Sequence, residues 1–380
     1  MLQRHKIKFK GIEAWLALDL TPKIGRKTIF KLLQEFGTPE AIWDGLNELK
    51  ARCSWLKPSA YEALKQGPDR KLLDLHKKFL RDSKNWIISI ADSAYPTLLT
   101  NISDPPLILY GKGDLESLKG PAVAIVGSRA ATQYGKDAAK YIAEGLVYKG
   151  ITVVSGLALG IDSVAHKSAI ASGGKTIAVK GCGVDYPYPR QNVSLAASIA
   201  ENGAVISEYP LGMQPKAGHF PVRNRIISGL CLAVVVVEGT KKSGSLITAH
   251  LALEQGREVG AVPGSIFSNR SAGPHMLIQN GAKLVTSADD IIEEISFAYD
   301  QIAQNNLVQL DKSESSLRDD TINLSTEEKK LLEIITSYPQ HIDEIAHAAG
   351  LEPQAASGLL LQLELKDLIQ SLPGQNYIRR

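Results

Sequence analysis

The candidate ligand-binding residues in this chain of 380 residues are Gly, Ser, Arg and Lys. They lie directly after segments that are predicted to be apolar strands. Gly-Ser-Arg follows AVAIV, Ser-Gly follows ITVV, and two lysines with a serine-rich helix start follow LAVVVVE. Free backbone N–H groups at a helix start bind oxyanions, and arginine or lysine supplies positive charge. The pattern therefore favours a protein that binds phosphate groups over an enzyme that catalyses a reaction on them. The candidate residues are Gly127, Ser128, Arg129, Ser155, Gly156, Lys241, Lys242, Ser243, Gly244 and Ser245.

A further cluster, FPVRNR at 220–225, places an aromatic ring beside two arginines just before an apolar helix. Single-stranded nucleic acids stack bases on such rings and place phosphates on nearby cations. Phe220 taken alone would more often be a core residue, but beside the arginines we expect it to stack on bases, with Arg223, Asn224 and Arg225 lining the same groove. Several cationic loops at one edge of a sheet would form a single pocket.

Asp162 and His166 lie four residues apart and could share one face of a helix. A general acid and base pair has this spacing, and so does a helix cap followed by a hydrogen-bonded core histidine. We favour the cap and the core histidine.

Catalytic and metal-binding motifs are not recognisable in the sequence. The first loop is not GxGxxG, which argues against a dinucleotide, and Cys53, Cys182 and Cys231 match no zinc-ligand spacing. We predict no catalytic residue, no cofactor and no metal site.

The strand candidates alternate with amphipathic helix candidates between residues 86 and 297. Continuous Val, Ile and Ala runs predict strands that are buried on both faces, as in a parallel sheet with helices on each side. The predicted fold class is α/β, with an extended Rossmann-like doubly wound sheet. It is flanked by an N-terminal helical domain, similar to a sterile-alpha-motif or helix-hairpin-helix domain, and by a C-terminal winged helix.

We divide the chain into a helical accessory domain at 1–85, the Rossmann-like core at 86–297, a linker at 298–323 and a winged-helix-like domain at 324–380. The first domain is rich in Lys and Arg, which leaves DNA contact and a solvated basic face equally open. In the winged helix, the recognition-helix candidate Pro353–Leu365 has no Arg or Lys, which argues against direct DNA reading and leaves protein binding as the alternative.

The net charge is only +3, so any affinity for nucleic acid must come from local clustering of cations. The longest apolar run, Leu230 to Val237, is too short to cross a bilayer. Three widely spaced cysteines fit a reducing compartment. We expect a cytoplasmic protein without membrane insertion.

From about residue 90 to 285, the chain resembles the DNA-processing protein A family, DprA/Smf. The resemblance rests on an ordered set of motifs: GSR at 127–129, SGLALGID at 155–162, AHKSAI at 165–170, GCGVDYPYPRQN at 181–192, ISEYPLG at 206–212, FPVRNRIISGL at 220–230, SGSLITA at 243–249 and AVPG at 261–264. It implies a homodimer that binds and protects single-stranded DNA and loads RecA onto it during natural transformation. It also implies that Arg129, Arg223, Arg225 and Lys242 hold phosphates.

The sequence departs from the family pattern at three positions. His275 stands where the family commonly has a polar Asn, Gly260 replaces a usual aromatic, and Lys180 replaces an apolar residue. Lys180 would add a cation to the groove or lie at a strand edge.

An enzyme is the alternative. Nucleotide phosphoribohydrolases share a related Rossmann core, and Asp162 or Glu208 could then act as acid or nucleophile. Their PGGxGTxxE signature is missing, and AVPGSIFSNR stands in its place.

Overall fold

The computed structural model describes residues 9–296, 325–335, 340–351, 353–365, 368–372 and 375–379. Its contacts divide the chain into two compact units, Met1–Leu307 and Val308–Arg380. The predicted linker at 298–323 lies outside the described residues. Within the described parts, no helix is both long and apolar enough to cross a membrane.

The first unit begins with helices whose apolar faces pack on the sheet that follows. They are α1 (Ile12–Asp19), α2 (Arg26–Phe36), α3 (Pro39–Asp44), α4 (Leu49–Arg52), α5 (Pro58–Gln66) and α6 (Arg70–Phe79). Trp15 and Trp43 of these helices share one buried cluster with Ile108, Tyr110 and Val205 of the sheet. The helices and the sheet therefore form one core in this unit, and a domain boundary at residue 85 stays a prediction.

A nine-stranded sheet forms the centre of the first unit. Its strands are β1 (Asn85–Ser89), β2 (Ile108–Gly113), β3 (Ala122–Val126), β4 (Thr152–Ser155), β5 (Thr176–Lys180), β6 (Gly203–Ser207), β7 (Ala233–Val236), β8 (Glu258–Ala261) and β9 (Lys283–Leu284). They lie in the order β1-β2-β6-β5-β4-β3-β7-β8-β9. Strands β3 to β9 run parallel, and β1 and β2 extend the sheet in antiparallel pairing.

Helices cover both faces of this sheet. They are α7 (Thr97–Thr100), α8 (Gln133–Tyr148), α9 (Ile161–Ala171), α10 (Val193–Glu201), α11 (His219–Gly229), α12 (Gly244–Glu254), α13 (Ala272–Gln279) and α14 (288–296), with 3-10 turns at Leu115–Leu118 and Arg190–Asn192.

Strand β3 shows why the sequence produces two covered faces. Val123 and Ile125 pack in the cluster that contains α8 and α9, whereas Ala124 and Val126 pack in the cluster that contains α11 and α12. Successive side chains of a strand point to opposite faces, so a continuous apolar run needs helices on both. The predicted doubly wound α/β fold is confirmed.

The second unit is a small helical domain with a three-stranded sheet. It contains α15 (Thr326–Ile334), β10 (Gln340–His341), α16 (Ile342–Ala349), α17 (Pro353–Leu365), β11 (Ile369–Leu372) and β12 (Asn376–Arg379). Ser325 and Glu328 form a capping box at the start of α15. Strands β11 and β12 pair as an antiparallel hairpin, which confirms the predicted winged helix.

Candidate nucleic-acid interface

The carboxyl ends of β3 and β7 meet where the chain reverses its direction across the sheet. From β3 the chain builds β4, β5 and β6 on one side, and it then crosses over to place β7 on the other side of β3. In an open α/β sheet this point leaves a crevice outside the carboxyl ends of the strands. The Gly-Ser-Arg loop follows β3 and the Lys-Lys-Ser loop follows β7, so both predicted loops border this crevice.

Two cavities of about 430 and 590 Å³ open along this edge, and they share Arg129, Ala158, Tyr188, Phe220 and Arg223 in their walls. We call the two together the switch-point groove. The predicted residues that line it are Gly127, Arg129, Gly156, Phe220, Arg223, Asn224, Ser243, Gly244 and Ser245. The predicted residues outside this lining are Ser128, Ser155, Arg225, Lys241 and Lys242.

Arg223 lies under the floor of the groove, with only 5% of its surface exposed. Its guanidinium donates to the carbonyl of Gly156 at 2.8 Å and to that of Val179. A Cβ at residue 156 would lie 2.7 Å from the guanidinium nitrogens, so only glycine leaves room for this contact. Burial lowers the pKa of Arg223 to about 10, which leaves the side chain charged at neutral pH.

Asp162 and His166 have different partners. The Asp162 carboxylate accepts from the backbone N–H groups of Gly156 and Ala158, at 3.1 and 3.2 Å. Burial raises the pKa of Asp162, and the guanidinium of Arg223 opposes this effect. The His166 ring contacts the Thr176 hydroxyl at 2.7 Å, and burial lowers the pKa of His166 to about 3. The cap residue of α9 is Gly160, so the expectation that Asp162 caps this helix is wrong, and its carboxylate instead holds the loop after β4. His166 is the hydrogen-bonded core histidine that the sequence favours.

Phe220 lies between two groups that belong to other loops. Its ring centre is 5.6 Å from that of Tyr188, and the Arg129 guanidinium lies over the ring at 5.7 Å. The ring also closes over Gly181, where a Cβ would come within 2.9 Å of it. Phe220 thus joins the loops after β3 and β5 at the groove wall.

Arg225 is not in the groove, which corrects the expectation that it lies beside Arg223. Helix α11 begins at His219, so both arginines are already helical, and side chains two residues apart on a helix point about 160° apart. Arg225 instead pairs with Glu208 at 2.6 Å. Glu208 also binds Arg26 of α2.

Ser155 does not face the groove, so the prediction that it binds the ligand is also wrong. Its side chain is fully buried, and its hydroxyl donates to the carbonyl of Ile125 at 2.6 Å. It ties β4 to β3 and does not face a ligand. Ser128 lies at the groove edge, where its hydroxyl accepts from the N–H of Ala130.

The two helix starts beside the crevice differ in charge. At the start of α8, the buried Glu238 carboxylate accepts from the N–H and the hydroxyl of Thr132, so a protein anion already occupies this position. At the start of α12, Gly244 is exposed, and a Cβ added to it would meet no neighbouring atom within 4 Å. The exposed Lys241 and Lys242 immediately precede this start. The α12 start is therefore the better anion site.

Sequence reasoning missed Tyr188 and Arg190, which line the groove from the loop after β5. The signal was an aromatic residue and an arginine after a buried strand, within the motif GCGVDYPYPRQN. Lys180 also lines the groove, but it is 5% exposed and donates to the carbonyls of Val184 and Tyr186. Burial lowers the pKa of Lys180, whose ammonium holds the loop that carries Tyr188.

The other two positions at which the sequence departs from the family pattern, Gly260 and His275, lie in β8 and in the segment after it. His275 contacts the Gly264 carbonyl through Nε2 at 3.0 Å. A Cβ at Gly260 would come within 2.6 Å of Val285, so a larger side chain there would need different packing.

The model of the DNA recombination-mediator protein A family matches residues 86–296, which is more than half of the chain. The chain belongs to this family. The DprA winged helix domain matches residues 316–375.

Known members of the family are similar over long stretches. The DNA processing protein DprA of Bacillus subtilis strain 168 is 49% identical over 209 residues, which cover 55% of this chain and 70% of the relative. A solved structure of DprA from Streptococcus pneumoniae has a TM-score of 0.59 and 42% identity, covering 72% of this chain and 98% of that one. A structure that concerns the single-stranded DNA binding mode of DNA processing protein A from Helicobacter pylori has a TM-score of 0.51 and 32% identity, covering 56% and 97%.

Proposed function

We propose that this chain binds single-stranded DNA in the switch-point groove without catalysing a reaction on it. It would protect incoming DNA and load RecA onto it in natural transformation, as a homodimer in the cytoplasm. The observation that carries the proposal is the contact of Arg129 with Phe220 beside the open start of α12. The Helicobacter pylori relative, whose structure concerns its single-stranded DNA binding mode, gives independent support.

The contact suggests how a strand would be received. In the free protein, Arg129 covers the Phe220 ring. A base that stacks on Phe220 would take over one face of the ring, and the Arg129 guanidinium would then turn to a phosphate. The next phosphate would reach Gly244 and Lys242 at the start of α12. Arg223, which is charged and fixed below the floor, would favour the polyanion without moving.

The carboxylates that an enzyme would need have other contacts. Asp162 holds two backbone N–H groups of the loop after β4, and Glu208 pairs with Arg225 and Arg26. Asp162 lines the switch-point groove, but its side chain is buried and its carboxylate is taken up by these N–H groups. The contacts favour binding over phosphoribohydrolase chemistry.

Fluorescence anisotropy with labelled oligonucleotides tests the binding proposal. We expect tight binding of a single strand and weaker binding of the same sequence as a duplex. Incubation with nucleoside monophosphates should release no base. Free base, or equal affinity for both DNA forms, would contradict the proposal. An unchanged rate of RecA assembly on single strands would contradict only the loading step.

The winged helix supports a protein-binding role. Its helix α17 exposes Gln354, Ser357, Leu361 and Gln362, and no Lys or Arg occurs in Pro353–Leu365. Phosphate contacts need such cations. Deletion of residues 320–380 should leave the affinity for single strands unchanged while weakening the interaction with RecA. A loss of DNA affinity on deletion would argue against this role.

A further inference from the structure

The loop after β8 carries two large apolar side chains that the described part of the chain leaves open. Ile266 and Phe267 are 80% and 93% exposed. Single exposed apolar residues are common on protein surfaces, whereas contiguous exposed apolar surface marks an interaction site. The neighbours of this loop therefore indicate what the two side chains would bind.

Contacts on both sides fix the loop. The N–H of Gly239 donates to the Arg270 carbonyl at 2.7 Å, and the N–H of Gly273 donates to the Gly239 carbonyl at 2.8 Å. The hydroxyl of Tyr134 donates to the Pro263 carbonyl. The loop after β8 is thus bonded to the loop after β7, which carries Lys241 and Lys242 next to the groove. It presents Phe267 at a defined place.

The charge around the loop is positive. Residues 239–243 and 262–275 contain Lys241, Lys242 and Arg270 but no Asp or Glu. Among the described residues, no carboxylate forms an ion pair with Arg129, Lys241 or Lys242. An exposed aromatic ring beside unpaired cations fits a single-stranded polyanion with stacking bases.

We propose that Phe267 is a second base-stacking site, which receives the strand after it has passed the start of α12. This inference rests on the proposed function, because it extends the same strand beyond the switch-point groove. Phe220 belongs to the wall near β5, and Phe267 follows β8, which is four strand positions away. At about 4.8 Å per position, strands β5 and β8 are roughly 19 Å apart, so the two rings belong to loop regions on different parts of the sheet edge. A short oligonucleotide would fill the groove, and a longer one would also reach Phe267.

The test compares the affinities of full-length variants for oligothymidines of about 4 and about 20 nucleotides. Phe267→Ala should weaken binding of the long oligonucleotide about fivefold or more and leave the short one unchanged. Phe267→Trp, which keeps a stacking ring, should bind both like the wild type. Phe220→Ala should weaken both. Tyr148→Ala is the matched control, because Tyr148 is 88% exposed at the far end of α8, about 24 Å from its start.

Each outcome decides between the two proposals. Wild-type affinity of Phe267→Ala for the long oligonucleotide, with Phe220→Ala weakened, would overturn the second stacking site and leave the proposed function standing. No binding by the wild type, or no effect of Phe220→Ala, would overturn the proposed function. Analytical ultracentrifugation of each variant measures its oligomeric state. It thereby distinguishes a side chain that contacts DNA from one that contacts a second copy of the protein. Weaker binding of Phe267→Ala that accompanies a change in its oligomeric state would assign the loop to a second copy and overturn the inference.

Discussion

Replacing Glu208 with glutamine should destabilise the first unit strongly, because two arginines depend on this carboxylate. Glu208 pairs with Arg225 at 2.6 Å and with Arg26, and its side chain is 7% exposed. Arg225 is 8% exposed, so it cannot recover its hydration when the charge opposite it is lost. Removing one partner of a buried ion pair costs about 3–5 kcal/mol. Asp104 still pairs with Arg225 in the variant, which reduces the loss. Because the Asp104 side chain is 38% exposed, it compensates only in part, and we expect the free energy of unfolding to fall by about 3 kcal/mol.

Urea unfolding followed by tryptophan fluorescence measures this loss. The four tryptophans, Trp15, Trp43, Trp55 and Trp86, all lie in the first unit. The free energy of unfolding is obtained by linear extrapolation to zero urea. Glu201→Gln is the matched control, because Glu201 is exposed and should change this free energy by less than about 0.5 kcal/mol.

A double-mutant cycle with Arg225→Gln adds a second criterion. Because the two side chains are in contact, their losses should fail to add by about 1–3 kcal/mol. A Glu208→Gln variant within about 1 kcal/mol of the wild type would refute the reasoning. Simple additivity of the two losses would refute it as well.

Two further predictions concern the groove floor and the junction between the helices and the sheet. Gly156→Ala would bring a methyl group to 2.7 Å from the Arg223 guanidinium and should cost about 1–3 kcal/mol in urea unfolding while weakening DNA binding. Gly244→Ala has no neighbour within 4 Å and should cost less than about 0.5 kcal/mol, so equal losses in both variants would contradict the packing argument. Burial raises the pKa of Asp19, which accepts from the Tyr110 hydroxyl, from 3.8 to about 6. The folded state then holds this proton more tightly than the unfolded chain, so the contribution of Asp19 to the free energy of unfolding falls by about 3 kcal/mol as pH rises through this range. Asp19→Asn should therefore gain stability relative to the wild type at about pH 7 and little at about pH 4, and an equal difference at both pH values would exclude this role.

The sequence was sufficient to predict the elements that local pattern determines. The strands β3 to β8 are rich in Val, Ile and Ala, and such apolar segments need cover on both faces. Glycine and serine after these strands also located the crevice. Strands β1 and β2 were not predicted, because antiparallel pairing at a sheet edge depends on partners far along the chain.

The site was predicted less completely, for reasons that particular residues illustrate. Arg225 was placed in the groove because the start of α11 at His219 could not be fixed from sequence, and that start decides which way each arginine points. Glu238 occupies the start of α8 through a contact between residues 106 apart, which no local pattern reveals. Tyr188 and Arg190 lie in the groove because the fold brings the loop after β5 beside Phe220.

The central claim is that the switch-point groove, together with the exposed Lys242 before α12, holds the phosphates of a single strand, and the salt dependence of binding tests it most directly. The slope of log affinity against log salt should become shallower by about 0.7 for Arg129→Ala and for Lys242→Ala, since each removes one phosphate contact. Lys167→Ala, at an exposed lysine of α9, should keep the wild-type slope. Equal slopes for the wild type and all three variants would contradict the account.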